Sequence, residues 1–283
     1  MQWGFPKIEK TFPRLAHRFF VTIFFSPLNY PVPRKEKVLE KEAEKFTIQV
    51  GGKRIQCYAW GKGPVILLIH GWAGRATQFR KFIFALAAKN YRVVGFDGPA
   101  HGHSTGRSTN IQEFEAVLKM IYDKVGIPEA IIAHSFGGGA ALFAAMKGLR
   151  VKKLINIASP SLGDGIIHTY LKTINGSPAT GSFFKSFILK TTGKPFDEYT
   201  GSYFITKITQ DMALLLIHDQ NDSEVPINHA LELMKHYPKA ILYKTTGLGH
   251  TRILKDDAVI TRCLSFIQNG TPPARLPFNS PDA

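Results

Sequence analysis

Short apolar runs alternate with amphipathic segments through the middle of the chain. Four of the runs have the length of buried strands: Val65–Ile69, Tyr91–Phe96, Ala130–Ile132 and Leu154–Ala158. Between them, the segments near 77–89 and 111–124 place apolar residues at helical spacing. Strands that alternate with helices predict a mostly parallel sheet with helices on both faces. In such a sheet the ligand site lies at the carboxyl ends of the strands.

Strand patterns also occur on either side of this region. Lys45–Val50 and Arg54–Trp60 are joined by a glycine pair and predict a β-hairpin. Met212–His218 and Ala240–Lys244 are apolar runs that predict two later strands. The chain is therefore expected to form an α/β protein.

A candidate nucleophile follows the apolar run at 130–132. The stretch Ala133-His134-Ser135-Phe136-Gly137 precedes an alanine-rich helical segment, so it predicts a strand, a sharp turn and a helix with the serine at the apex. A hydroxyl held in such a turn is suited to acyl transfer. The alternative is an inert serine at the start of a helix.

A serine nucleophile needs a base to take its proton and an acid to orient that base. Asp219 and Asp222 both follow the predicted strand at 212–218, and His250 follows the predicted strand at 240–244 in a glycine-rich loop. The two aspartates and His250 therefore each follow the carboxyl end of a strand, on the edge of the sheet where Ser135 is expected.

Together these segments resemble the α/β-hydrolase superfamily over residues 46–268. The serine turn is similar to the family's G-x-S-x-G, with Ala133 in place of the first glycine. Residues 68–74, L-I-H-G-W-A-G, are similar to the His-Gly turn after the third strand, and residues 97–104 to D-x-P-G-H-G-x-S, with Ala100 where glycine is usual. The resemblance implies an α/β-hydrolase fold: a mostly parallel eight-stranded sheet, helices on both faces and a small helical cap.

The resemblance also implies a catalytic triad in the order Ser, Asp, His. Ser135 would be the nucleophile, His250 the base and Asp222 the acid that holds the imidazole. Asp222 is favoured because D-S-E-V-P is similar to the family's D-x-x-V-P. Asp219 stays open as the alternative acid, or as a residue that fixes the loop.

Further site residues are expected around this triad. The backbone N–H groups of Trp72 and Phe136 would form the oxyanion hole. The side chains of Trp72 and His134 would line the substrate site, and His70 and Asp97 would support their turns.

Two more histidines, His229 and His236, fall in a helical pattern that starts near Pro226. We expect them to lie on an exposed face of that helix.

The chain divides into four regions by pattern. We expect an N-terminal helical extension at 1–44, a hydrolase core formed by 45–159 and 211–270, and a loose, proline-rich tail at 271–283. The glycine-rich stretch 160–210 interrupts the strand pattern, and the resemblance implies a cap or lid there. A surface excursion without a role in substrate choice is the alternative.

The N-terminal extension carries an aromatic run at 19–25. Seven residues cannot span a bilayer, which needs about twenty. One interpretation is a helix docked on the core or on a second subunit. The other is shallow membrane contact through residues 14–30, with Phe19, Phe20, Phe24 and Phe25 inserted and basic residues at the headgroups.

Composition narrows the function classes. The 283-residue chain has 44% hydrophobic residues and a formal net charge of +15, but its basic residues are scattered and no nucleic-acid-binding motif accompanies them. We therefore expect no nucleic-acid partner. The two cysteines, Cys57 and Cys263, form no metal-ligand pattern, and no phosphate-binding glycine loop is evident, so neither a metal nor a cofactor is expected. A cytoplasmic location is expected, with peripheral membrane contact as an open alternative.

The expected function is a serine hydrolase of the carboxylesterase or lipase type. It would cleave a small, neutral or anionic ester through an acyl-serine intermediate, and a lipid-like ester would fit an N-terminal segment that meets membranes. Alternatives are acyl transfer to a non-water acceptor, cleavage of a carbon–carbon bond by the same triad, and a catalytically silent ligand-binding protein. The oligomeric state stays open.

Overall fold

The computed structural model describes residues 4–269. The strands of its one central sheet are β1 (Glu44–Val50), β2 (Lys53–Trp60), β3 (Val65–Ile69), β4 (Arg92–Phe96), β5 (Ala130–His134), β6 (Lys153–Ile157), β7 (Ala213–Asp219) and β8 (Ile241–Thr245). The sheet has the order β1-β2-β4-β3-β5-β6-β7-β8. β2 runs antiparallel to both β1 and β4, and the remaining pairs are parallel. The prediction of a mostly parallel eight-stranded sheet is confirmed.

Helices cover both faces of this sheet. The described helices are α1 (Phe5–Thr11), α2 (Pro13–Phe25), α3 (Arg34–Glu42), α4 (Arg80–Ala87), α5 (Ile111–Val125), α6 (Phe136–Met146), α7 (Gly163–Ile174), α8 (Pro178–Thr192), α9 (Gly201–Lys207), α10 (Asn228–His236), α11 (Gly249–Arg252) and α12 (Asp257–Asn269). In the part of the chain that the structure describes, none of the helices is both long and apolar enough to cross a bilayer.

The two faces of the sheet bury separate cores because successive strand residues point to opposite sides. On β3, Leu67 and Ile69 join a buried cluster with residues of α5 and α6. Ile66 and Leu68 on the same strand join a second cluster with residues of α4 and α12. A central strand that is apolar on both faces therefore contributes to both cores.

A third buried cluster joins the N-terminal helices to the 160–210 region, which contains α7, α8 and α9. Phe20 is fully buried, and its ring meets the ring of Phe184 edge-on at 5.4 Å. The ring of Phe24 lies 4.2 Å from that of Phe184. Phe20 and Phe24 thus pack against protein, whereas Phe19 is exposed. Contact of residues 14–30 with a membrane stays a prediction, as does the lid role of 160–210, and the tail at 271–283 lies outside the described residues.

Candidate active site

Ser135 occupies a strained turn between β5 and α6. Its backbone has φ 51° and ψ −124°, in a region that residues other than glycine rarely enter. The Ser135 N–H donates to the Ile157 carbonyl at 2.9 Å, which ties the turn to the end of β6. A Cβ at Gly137 would lie 2.4 Å from the Ile69 carbonyl oxygen, so only glycine fits where α6 leaves the sheet. The hydroxyl is thereby presented at the carboxyl end of β5.

The structure brings Ser135, His250 and Asp222 together. The Ser135 Oγ lies 3.0 Å from His250 Nε2, and His250 Nδ1 lies 2.7 Å from Asp222 Oδ2. Both distances are within the reach required of a nucleophile, its base and the group that orients the base. His250 lies on the short helix α11 rather than in the loop that the sequence pattern indicated, because helix begins at Gly249 directly after the glycine turn.

Asp222 is held as a buried carboxylate. Its Oδ1 accepts hydrogen bonds from the N–H groups of Glu224 and Val225, each at 2.9 Å. Burial alone would raise the pKa of Asp222, but the hydrogen bond from His250 and these N–H groups outweigh it, and the pKa lies below its ordinary value. The carboxylate is therefore charged and aimed at the imidazole.

Asp219 has a different set of contacts. Its Oδ2 accepts hydrogen bonds from the Thr245 hydroxyl at 2.7 Å and from the Leu248 N–H at 3.0 Å. These contacts fasten the end of β8 and the turn that leads into α11. Asp222, and not Asp219, contacts His250.

The two expected oxyanion donors, the N–H groups of Phe136 and Trp72, belong to residues that border Ser135. The N–H of Phe136 belongs to the first residue of α6, where no intrahelical acceptor exists. The N–H of Trp72 bonds to no other described residue. A Cβ at Gly71 would come within 2.8 Å of the Ser135 Cβ, which shows how closely the His-Gly turn approaches the serine. The rings of Trp72 and Phe136 meet edge-on, with centroids 5.2 Å apart.

His70 and Asp97 bond to the turns around them. The His70 Nε2 accepts a hydrogen bond from the Gly98 N–H at 2.8 Å, and Nδ1 lies 2.7 Å from the Gly71 carbonyl oxygen. Asp97 accepts hydrogen bonds from the N–H groups of Ala76 and His103. Burial lowers the pKa of His70 to about 4, so the ring is a neutral bridge between two turns.

His134 lies at the end of β5 and lines the same cavity as Ser135. Its Nε2 lies 2.9 Å from the backbone carbonyl oxygen of His250. Burial, together with the neighbouring His250, lowers the pKa of His134 to about 3, so the neutral ring donates this hydrogen bond. His134 therefore holds the backbone of His250.

The expectation that His229 lies on an exposed helix face was wrong. His229 is only 2% exposed, and its Nδ1 accepts hydrogen bonds from the N–H groups of Ser161 at 2.8 Å and Leu162 at 3.0 Å. His229 is one turn from the buried Leu233 on α10, and this spacing could have indicated its burial. His236 is partly exposed and pairs with Glu232 at 2.9 Å.

Ser135 and His250 line a cavity of about 790 Å³ between the core and the 160–210 region. This volume is within the range of about 300–1,000 Å³ that is typical of small-molecule sites. Among residues 4–269, no lysine or arginine lines the cavity, and Glu224 is its one acidic residue. The large positive charge of the chain is therefore not directed into this space.

Buried neutral histidines should make the protein sensitive to mild acid. Burial lowers the pKa of His70 and His229 to about 4 and of His101 and His134 to about 3. Below the ordinary histidine pKa of about 6.5 the unfolded chain binds protons that the folded chain refuses, so stability is complete above that pH and is lost as the pH falls toward 4. We expect the melting temperature to drop steadily over this window.

The His229→Asn variant, whose amide oxygen can replace Nδ1 as acceptor, should show a smaller loss of melting temperature across the same pH range. His168 is exposed, so His168→Asn is the matched control and should keep the parent profile. Equal profiles for the parent and His229→Asn would contradict the role given to burial of His229.

Comparison with known proteins agrees with the fold. A family model described as alpha/beta hydrolase fold matches residues 64–198, and a second, described as TAP-like protein, matches residues 192–277. The chain belongs to the α/β-hydrolase superfamily.

Curated relatives match parts of the chain. It is 41% identical over 90 residues to the magnesium-chelatase 30 kDa subunit of Rhodobacter capsulatus, covering 30% of this chain and 31% of that protein. It is 28% identical over 114 residues to epoxide hydrolase B of Mycobacterium tuberculosis, covering 38% of this chain and 32% of that protein. It is 27% identical over 169 residues to protein phosphatase methylesterase 1 of Bos taurus, covering 55% and 43%. The matches span less than half the length of each relative.

Solved structures share the fold at low identity. An esterase of Pyrococcus furiosus superposes with a TM-score of 0.65 at 19% identity, covering 86% of this chain and 96% of that one. The thioesterase domain of the curacin biosynthetic pathway superposes with a TM-score of 0.57 at 18% identity, covering 80% and 99%. The relatives together support an enzyme of the α/β-hydrolase type.

Proposed function

We propose that the protein is a serine hydrolase that cleaves a neutral carboxylic ester through an acyl-serine intermediate. The observation that carries the proposal is the continuous hydrogen-bonded path from Asp222 through His250 to the Ser135 hydroxyl, beside a mainly apolar cavity.

The geometry supports the following acylation step. Ser135 Oγ attacks the acyl carbon while its proton passes to His250 Nε2, and the carbonyl oxygen becomes an oxyanion that accepts hydrogen bonds from the Phe136 and Trp72 N–H groups. The bond from the acyl carbon to the alcohol oxygen then breaks, and His250 gives its proton to the leaving alcohol. Asp222 stabilises the imidazolium in between.

Deacylation reverses the roles with water as the nucleophile. Water attacks the acyl carbon and gives a proton to His250, and the bond to Ser135 Oγ breaks as that proton returns to the serine. The products are the carboxylic acid and the free enzyme. No other proton donor is needed for either half of the cycle.

The cavity favours an uncharged substrate. Its walls include apolar side chains from three parts of the chain: Ile23 and Phe24 before the core, Ile166 and Ile188 from the 160–210 region, and Trp72 beside the serine. Without a lysine or arginine among the described lining residues, an anionic acyl group would lose its water without gaining an ion pair with either side chain. Of the neutral and anionic esters that the sequence left open, we therefore favour the neutral ones.

Hydrolysis of p-nitrophenyl esters from acetate to palmitate tests the proposal, alongside labelling with a fluorophosphonate probe. We expect release of nitrophenol with a preference for acyl chains longer than acetate, and covalent labelling of one serine. Absence of both hydrolysis and labelling would overturn the proposal in favour of a ligand-binding protein. Transfer of the acyl group to added alcohols in preference to water would instead indicate an acyltransferase.

A further inference from the structure

One wall of the cavity is built by α2, a helix that precedes the hydrolase core in the chain. The side chains of Val21, Ile23, Phe24 and Phe25 on α2 line the cavity, and Leu28 continues the wall after the helix ends. All of these side chains are hydrocarbon. Leu28 is 56% exposed, so this part of the wall faces solvent.

The N-terminal helices are fastened to the 160–210 region. Besides the burial of Phe20 against Phe184, the Glu9 carboxylate accepts hydrogen bonds from the Ser177 N–H, the Ser177 hydroxyl and the Thr180 hydroxyl. Ser177 is the N-cap of α8 and makes no capping bond with its own side chain. Glu9 therefore supplies the acceptor and the negative charge that the start of α8 favours.

The end of α2 and the segment that follows it are also held on the core by hydrogen bonds. The Phe25 carbonyl accepts a hydrogen bond from the Thr109 N–H at 2.8 Å, and the Tyr30 carbonyl accepts one from the Arg75 guanidinium at 2.7 Å. Thr109 itself lines the cavity. Because α2 is held on both sides of the cavity, it is a fixed part of the site's shape.

We infer that α2 belongs to the substrate-binding site and that Ile23 and Phe24 determine the length of the acyl chain the cavity accepts. This inference rests on the proposed ester hydrolysis. Phe24 is suited to limit the depth because its ring is packed against Phe184 and, at 4.5 Å, against Tyr170. A ring that its neighbours hold in place cannot swing aside for a longer chain.

The first test fills the cavity from α2. Ile23→Trp should lower the ratio of kcat/KM for long-chain esters to kcat/KM for acetate by about tenfold or more, since one methylene more or less in an apolar site is worth about 10–200-fold. Thr22→Trp adds the same side chain at the neighbouring exposed position and should keep the parent profile. Equal profiles for Ile23→Trp and Thr22→Trp would overturn the inference.

The second test enlarges the cavity with a matched control on the same helix. Phe24→Leu should shift the preferred ester toward longer acyl chains. Phe20→Leu removes a ring from the same aromatic cluster, but Phe20 does not line the cavity, so it should lower the melting temperature without moving the preferred chain length. A shift in both variants would show that packing, and not the wall, sets the preference.

A binding measurement separates this inference from the proposed chemistry. In Ser135→Ala protein, the apolar dye Nile red should bind the cavity, and linear alcohols from hexanol to tetradecanol should displace it with a length dependence that Ile23→Trp shortens. If the alcohols displace the dye in this way but the parent has no esterase activity, the role of α2 in the binding site is supported and the proposed ester hydrolysis is rejected. If the parent has esterase activity but Ile23→Trp leaves its chain-length dependence unchanged, ester hydrolysis is supported and the role of α2 is rejected.

Discussion

Replacing Ser135 by alanine should lower kcat for ester hydrolysis by roughly 10³-fold or more, because no other hydroxyl is bonded to His250 Nε2 among the described residues. Fluorophosphonate labelling should be lost as well. The fold should survive, since Ala73, Ala100 and Ala158 already occupy positive φ elsewhere in the chain, and alanine at φ 51° is no more strained than serine. Rates, labelling and the melting temperature of purified protein measure these effects.

Ser159→Ala is the matched control for this variant. Ser159 is also buried close to α6, but its hydroxyl has no hydrogen-bond partner among the described residues. Its removal should leave both hydrolysis and labelling at the parent level. If Ser135→Ala retained more than about a tenth of the parent rate, the nucleophile assignment would be wrong, because removal of the serine of a catalytic triad lowers kcat far more than tenfold.

The sheet and the nucleophile turn could be predicted from sequence because both depend on local patterns. An apolar run followed by small residues around Ser135 specifies a strand, a tight turn and a helix without knowledge of distant contacts. Apolar runs likewise placed Asp222 and His250 after predicted strands, and the resemblance to α/β hydrolases then favoured Asp222 over Asp219. In each case the chemistry lies next to a structural signal in the same stretch of chain.

The remaining features depend on packing between distant segments. The hydrogen-bond partners of His229, Ser161 and Leu162, could not be predicted, because no local pattern brings them to α10. The contribution of α2 to the cavity was not predicted, because an aromatic run does not specify whether it packs against the core, a second subunit or a membrane. Glu9 is more than 160 positions from Ser177 and Thr180 in sequence, so its hydrogen bonds to them could be seen only in the folded structure.

Asp222 and Asp219 offer the sharpest test of the triad, because sequence alone left both open and the structure gives them different partners. Asp222→Asn should reduce kcat by about 10⁴-fold, since an amide opposite His250 Nδ1 favours the tautomer that cannot accept the serine proton. Asp219→Asn should reduce kcat far less and lower the melting temperature, because it weakens the acceptor that Thr245 and the Leu248 N–H share. Kinetics and thermal unfolding of the two variants separate these effects.

The pH profile adds an independent check on the same assignment. Because the pKa of Asp222 lies below its ordinary value of 3.8, the carboxylate should stay ionised throughout the acid limb of kcat/KM in the parent. In Asp222→Asn, hydroxide can take over part of the lost base function, so the residual rate should rise toward alkaline pH, whereas Asp219→Asn should keep the shape of the parent profile. Asp219 would be the triad acid if Asp219→Asn lost more kcat than Asp222→Asn, kept the parent melting temperature and showed a residual rate that rises toward alkaline pH. Geometry argues against that outcome, because Asp219 Oδ1 accepts from the Asn221 N–H and Oδ2 accepts from Thr245 and Leu248, whereas Asp222 Oδ2 meets the imidazole of His250.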